Sequence, residues 1–155
     1  MQKNKIFLFC FIGLAIAVIA DLWFLQSPYP GYPCPQRQAT IFFELKEVQA
    51  RVACDNNERQ QGLMNAGPLN DYEGMLFVFP YSDKHGFWMK NTPVNLSIAF
   101  ISKGGIINEI IEMKAQDETP IIPQKEAKYT LEMREKWFIE NHILAGQKMI
   151  IKTSN

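Results

Sequence analysis

The sequence predicts a mainly β domain, a sandwich or barrel with one or two short helices, behind an apolar N-terminal segment. Three observations predict it. From Ala39 onward the apolar residues fall into many short runs separated by turn residues, and only two stretches carry helix signals. The apolar fraction of 47% and aromatic fraction of 12% suffice for a packed core in 155 residues. The one long apolar run stands apart at the N-terminus, behind Lys3 and Lys5.

That run, "IFLFCFIGLAIAVIA" from Ile6 to Ala20, reads as an export signal, with Val18 and Ala20 small enough for cleavage before Asp21. "LWFL" prolongs it, and Ile6 to Leu25 has the length of a membrane-spanning helix. Residues 1–25 are therefore expected to be a signal peptide or a membrane anchor. The lysines would stay cytoplasmic and the rest would face outward: periplasmic, secreted, or tethered to the cytoplasmic membrane by residues 6–25. Residues 26–38, "QSPYPGYPCPQRQ", carry four prolines and one glycine and form a linker. The domain occupies residues 39–155. Of the three cysteines, Cys10 lies in the apolar run, Cys34 in the linker and Cys54 at the end of an alternating run. Neither Cys10 nor Cys34 has lipoprotein surroundings. An exported protein can oxidise Cys34 and Cys54 to a disulfide, but a linker cysteine is not held near a partner, and two free thiols are the expectation.

Within the domain, "TIFFEL" is rich in strand formers. "EVQARVACD" alternates, placing Val48, Ala50, Val52 and Cys54 on one face and Glu47, Gln49 and Arg51 on the other. "DNNERQQGLM" predicts a helix, because Asp55 and Glu58 have capping-box spacing and Gly62 fits its end. "MLFVF" predicts a strand buried on both faces. "LSIAFI" and "GIINEII" flank Ser102–Gly105 and predict a hairpin. "KYTLEM" is the next strand, "REKWFIENHI" a short helix, and "KMIIK" the last strand.

Several functions lack their signals. Basic and acidic residues number 16 each, so no basic excess points to nucleic acid. No phosphate loop, nucleophile elbow or zinc signature appears. The two histidines, His85 and His142, have no metal-type spacing to another ligand. A pairing of Cys54 with His85 would need a proximity that one sequence does not show. Seven methionines raise a thioether copper site, but they lie scattered in apolar stretches, where core filling is the simpler role. No cofactor is expected.

The stretch "GFWMKNTPVNLSIAF", Gly86 to Phe100, is where a site is expected. As a strand it puts Phe87, Met89 and Asn91 on one face and Trp88 and Lys90 on the other. Pro93 then ends the ladder, leaving Asn91 and Thr92 at a strand end. Trp88 beside Lys90 suits a sugar ring, an aromatic group or an anionic molecule. The plainer reading has Phe87 and Met89 in the core and the lysine stem over a partly solvated indole. Arg59 is expected to hold a carboxylate, Glu44, Glu73 or Glu132, as an ion pair.

The blocks "ERQQGLM", "EGMLFVF", "FWMKNTPVNLSIAFI", "YTLE" and "AGQKM", in that order, resemble the DUF192 family of small, uncharacterised, often exported proteins, over roughly Phe43 to Lys152. The resemblance implies a jelly-roll-like sandwich or barrel with short helical insertions, and it implies no reaction. Asn95 stands where the family commonly has an acidic residue, and "LEMREKW" lacks the family's glycine. The functional expectation is an exported or tethered β domain that is not an enzyme. It would bind a small molecule or an extracytoplasmic protein through a cleft lined by Trp88, Lys90, Asn91, Asn95 and Arg59, with the membrane touched only by the N-terminal segment. A hydrolase-like enzyme whose acidic and basic groups converge from separate strands, and an extracytoplasmic thioether-based copper binder, are the alternatives.

Overall fold

The computed structural model describes residues 37–152. Seven strands and two short helices alternate along them: β1 (Gln38–Phe43), β2 (Lys46–Ala53), α1 (Asn56–Gln61), β3 (Glu73–Asp83), β4 (Leu96–Ile101), β5 (Ile107–Met113), β6 (Ala127–Arg134), α2 (Trp137–Glu140) and β7 (Ile150–Lys152). All seven strands belong to one sheet, in the order β5-β4-β6-β3-β2-β1-β7.

The fold is mainly β with few short helices, as expected, but the expected jelly-roll-like barrel is corrected. The sheet is mixed, because β2 and β3 run parallel and every other ladder is antiparallel. A parallel neighbour needs a crossover, and α1 supplies it. Nor does the sheet close into a barrel. Its outermost strands β5 and β7 share no ladder; an isolated bridge, Ile106 to Lys148, and a few main-chain hydrogen bonds around Ile107 link their approaches.

The expected N-terminal helix lies outside the described residues. Among those described, no helix is long and apolar enough to cross a membrane. The expected transmembrane anchor, and the membrane-tethered location that depended on it, therefore find no support among the described residues. The cysteine expectation is also corrected, since Cys54 is disulfide-bonded; its partner lies outside the described residues.

Local chemistry explains each element. Asp55 caps α1 by accepting from the Glu58 N–H at 2.8 Å, and Glu58 reaches back to the Asp55 N–H, so the expected capping box is present. Gly62 ends the helix with φ +47°, a conformation that side chains other than glycine's rarely adopt. Trp137 and Phe138 of α2 are fully buried and pack their rings on Phe43 at 6.1 and 6.3 Å.

The central strands are buried on both faces. One face carries Met75, Phe77, Phe79, Leu96, Ile98 and Phe100 in a core cluster with Leu63 and Met89. Ala66, Leu69, Phe87, Val94 and Ile121, all from loops, pack against it. The opposite face carries Leu76, Ala99, Leu131 and Met133, all buried. Met75, Met89, Met113, Met133 and Met149 are buried too, so these thioethers fill core.

Gly74 is a close approach between β3 and β6. A Cβ there would lie 2.5 Å from Met133 Sδ and 2.9 Å from the Glu132 carbonyl oxygen. Gly74→Ala is expected to lose about 1–3 kcal/mol of stability in urea unfolding, the range for overpacking a tight site. Gly67→Ala, with nothing within 4 Å of the new carbon, is expected to change stability by about 1 kcal/mol or less. Equal effects would contradict the contact.

Candidate functional site

Strand β6 lies between β3 and β4, and its alternation puts Thr130 and Glu132 on the same face as the core cluster. Thr130 is paired with Phe77 on one side and Phe100 on the other, and Glu132 with Met75 and Ile98. Directly opposed residues share a face. Two polar side chains, one of them a carboxyl, thus stand two residues apart among aromatic and aliphatic groups. Thr130 is 0% exposed and Glu132 4%. The Thr130 hydroxyl makes no hydrogen bond. Among the described residues the Glu132 carboxyl has no hydrogen-bond or ion-pair partner.

The electrostatic consequence is direct. Burial alone pushes the Glu132 carboxyl up from its ordinary 4.5 to about 8. An ionised carboxylate without a partner in an apolar interior is very costly, so the group keeps its proton. At neutral pH the pair is two neutral hydroxyl-type groups, each able to donate and accept. Such a carboxyl suits hydrogen bonding to a ligand or proton transfer to one.

The "GFWMKNTPV" part of the expected site stretch crosses this face. It is not the expected strand: only Phe87 forms a bridge, to Ile121, and β4 starts at Leu96. Phe87 stacks edge-on against Phe77 at 5.0 Å and Phe100 at 5.7 Å, the two residues flanking Thr130. Met89 is buried in the same cluster. Asn91 turns the chain with φ +52°. The stretch is held by a few main-chain bonds to other loops: Phe87 with Ile121, Met89 N to Asp117 O at 2.8 Å, Asn65 N to Asn91 O at 2.7 Å, and Gln116 N to Thr92 O at 3.1 Å.

The five expected site residues fall into two groups. Trp88 is 49% exposed, and the Lys90 ammonium lies over its ring at 5.4 Å, so the structure brings these two together. Asn91 follows them in the turn, exposed. Asn95 is engaged in structure: its amide donates to Glu135 at 3.2 Å and accepts from the Ala115 N–H at 2.8 Å. Arg59 is engaged as well, but not with the carboxylates expected for it. Its guanidinium donates to the carbonyls of Cys54 and Val78 and to the Asn56 side chain, and it lies 5.4 Å from the Phe79 ring centre. It therefore ties the end of β2 to β3 across the α1 crossover.

The residues that sequence reasoning missed are Thr130 and Glu132. Glu132 entered only as a possible partner for Arg59. The signal was present: in "KYTLEM" a period of two gives Tyr129, Leu131 and Met133 one face and Thr130 and Glu132 the other. What was missing was that β6 would be central and covered on both faces. His85 stacks on Phe79 at 3.7 Å, an aromatic packing role. Among the described residues, no group of three or more His, Cys, Asp or Glu side chains is arranged to hold a metal ion.

A family model, DUF192 (Uncharacterized ACR), matches residues 38–151. Among solved structures, a protein of unknown function from Novosphingobium aromaticivorans DSM 12444 is similar at 26% identity, with a TM-score of 0.67 over 77% of this chain and 89% of that one. A candidate transcription regulator from Sinorhizobium meliloti 1021 is similar at 24% identity, with a TM-score of 0.69 over 74% of this chain and 92% of that one. At this identity the second likeness shows the fold alone. Among curated proteins, none matches.

The raised carboxyl makes stability depend on pH. Glu132 binds its proton more tightly in the folded state, so its contribution is complete below the ordinary 4.5 and is lost as pH rises toward about 8. Urea unfolding is expected to show that, relative to Glu132→Gln, the wild-type chain loses on the order of 1 kcal/mol per pH unit between pH 5 and 8. A difference between the two proteins that is flat across this window would contradict the buried, protonated carboxyl.

Proposed function

The chain belongs to the DUF192 family, and we propose that its β domain binds a small ligand between the FWMKNT stretch and the Thr130–Glu132 pair. One observation carries this reading. Two polar groups are buried side by side on a core face, and neither has a protein partner. A buried polar group left unmade costs about 1–3 kcal/mol, and a ligand that completes its hydrogen bonds recovers that cost on binding.

The surroundings define the ligand's chemistry. Met75, Phe77, Ile98 and Phe100 offer apolar and aromatic contact. The pair offers one carboxyl and one hydroxyl, neutral at pH 7. The complementary molecule is small and mostly apolar, with one neutral hydrogen-bonding group such as an amide or alcohol. Binding there requires this cover, the FWMKNT stretch, to move. Phe87 and Met89 pack inward, while Trp88 and Lys90 lie on its outer surface. Trp88, Lys90 and Asn91 form the mouth. Asn95 and Arg59 act by holding the neighbouring loops. The enzyme reading has one supporting observation, the same carboxyl with a value near neutrality. Binding needs only the two buried hydrogen-bonding groups and the apolar wall around them, so it is the function the geometry supports best.

The test is an NMR screen of small amides and alcohols against the full chain. Hits are expected to shift the amides of residues 86–92 and 130–132 and to weaken when Thr130→Val removes the hydroxyl. Trp88→Ala and Lys90→Ala are expected to weaken the same hits while changing stability by about 0.5 kcal/mol or less. Phe87→Ala and Met89→Ala are expected to cost about 2–5 kcal/mol of stability, as emptied core sites do. Hits that map elsewhere, or Trp88→Ala as destabilising as Phe87→Ala, would overturn the reading.

A further inference from the structure

Arg51 is the odd side chain of β2. In the sheet register it stands opposite Gln38 on β1 and Met75 on β3, on the same face as Glu132. It is exposed, and among the described residues its guanidinium makes no hydrogen bond or ion pair. The other arginines differ: Arg59 is bonded to three groups, Arg134 pairs with Asp71 and Glu140, and Arg37 pairs with Glu58.

This free fork opens into space. A pocket of about 440 Å³ lies between β2, Met75 and the flank of α1, lined by Arg51 with Arg37, Asn57, Glu58 and Gln61. A second pocket of about 460 Å³ adjoins it beside the Ala66–Leu69 loop, and Arg51 lines that one too. Arg51 therefore stands at the boundary of two concavities with its five donors unused. Met75, 6% exposed, provides the apolar wall of the first.

We propose that the first pocket is a binding site for a small monoanionic carboxylate with an apolar body, held by Arg51. This site shares the Met75 wall with the one under the FWMKNT stretch but uses none of that site's polar groups, and it does not depend on that reading. Three features select the ligand class. A guanidinium matches a carboxylate with two parallel hydrogen bonds. One free cation balances one negative charge, and the Glu58 carboxylate on the wall disfavours a dianion such as phosphate. Met75 receives an apolar body, while the Asn57 amide stands ready for a further polar group. The volume of about 440 Å³ leaves ample room for a molecule such as benzoate.

The test is a titration of the full chain with benzoate, acetate and inorganic phosphate at constant ionic strength, reading the arginine Nε–H and backbone amide resonances by NMR. Benzoate is expected to give saturable shifts at Arg51, Asn57 and Met75, with acetate weaker and phosphate weakest. Arg51→Gln is expected to weaken benzoate by about tenfold or more, the loss of one charge-assisted bidentate contact. Arg51→Lys, which keeps the charge without the fork, is expected to fall between. Lys46→Gln, at the exposed start of the same strand, is expected to bind as the wild type does and controls for net charge. An unchanged affinity in Arg51→Gln, shifts that never saturate, or phosphate binding more tightly than benzoate would each overturn the proposal. Thermal unfolding of each variant confirms that a lost signal is not a lost fold.

Discussion

The structure depends on the position of β6. A strand flanked by β3 and β4, with loops and core packed on one face and more core on the other, is almost wholly shielded from water along its middle. Every side chain it carries must then be apolar or find a partner in the protein. Leu131 and Met133 meet the first condition. Thr130 and Glu132 meet neither, and the molecule holds the carboxyl by keeping it protonated. An apolar pair at these positions would be the more stable choice for a domain that did nothing but fold. That contrast places the pair at the centre of the functional reading.

The rest of the fold keeps β6 central. The parallel β2–β3 pair needs a crossover, and the sequence encodes it compactly with the Asp55–Glu58 capping box, six helical residues and a glycine stop. Arg59 then joins the carbonyls of Cys54 and Val78, so the crossover is clamped by one side chain that reaches both strands. Gly74 lets β3 approach β6 closely, and the Ser102–Gly105 turn returns β4 as β5. Asn95 bonds the start of β4 to the Ala115 and Glu135 loops, fixing the exit of the stretch that crosses the site. An aspartate there could accept the Ala115 N–H but could not donate to Glu135.

Much of this was legible in the sequence because it rests on local rules. The alternation of β2, the two-sided burial of β3, the β4–β5 hairpin, the capping box and both helices all follow from periods and caps that short windows contain. The sheet topology was not legible, because a parallel partner is chosen by long-range packing and short strands read alike in a jelly roll and in a mixed sheet. The same limit hid Glu132. Its face could be counted from "KYTLEM", but its burial follows from which strands flank β6 and which loops cover it. In the FWMKNT stretch the inward Phe87 and Met89 and the outward Trp88 and Lys90 followed from alternation. The turn at Asn91 did not, since an asparagine in the left-handed region is a local exception that strand composition masks.

The central claim is that Glu132 stays a protonated acid at neutral pH within the sheet's covered face. Carbon-detected NMR of the chain labelled at glutamate side-chain carboxyls measures this directly, with Glu132→Gln identifying the resonance. The account predicts that one glutamate signal, absent in the variant, keeps the shift of a protonated carboxyl at pH 7 and titrates near 8. If instead every glutamate, Glu132 included, titrates in the ordinary range of about 4–5, the carboxyl is solvated or paired, and the buried pair that the functional reading rests on does not exist.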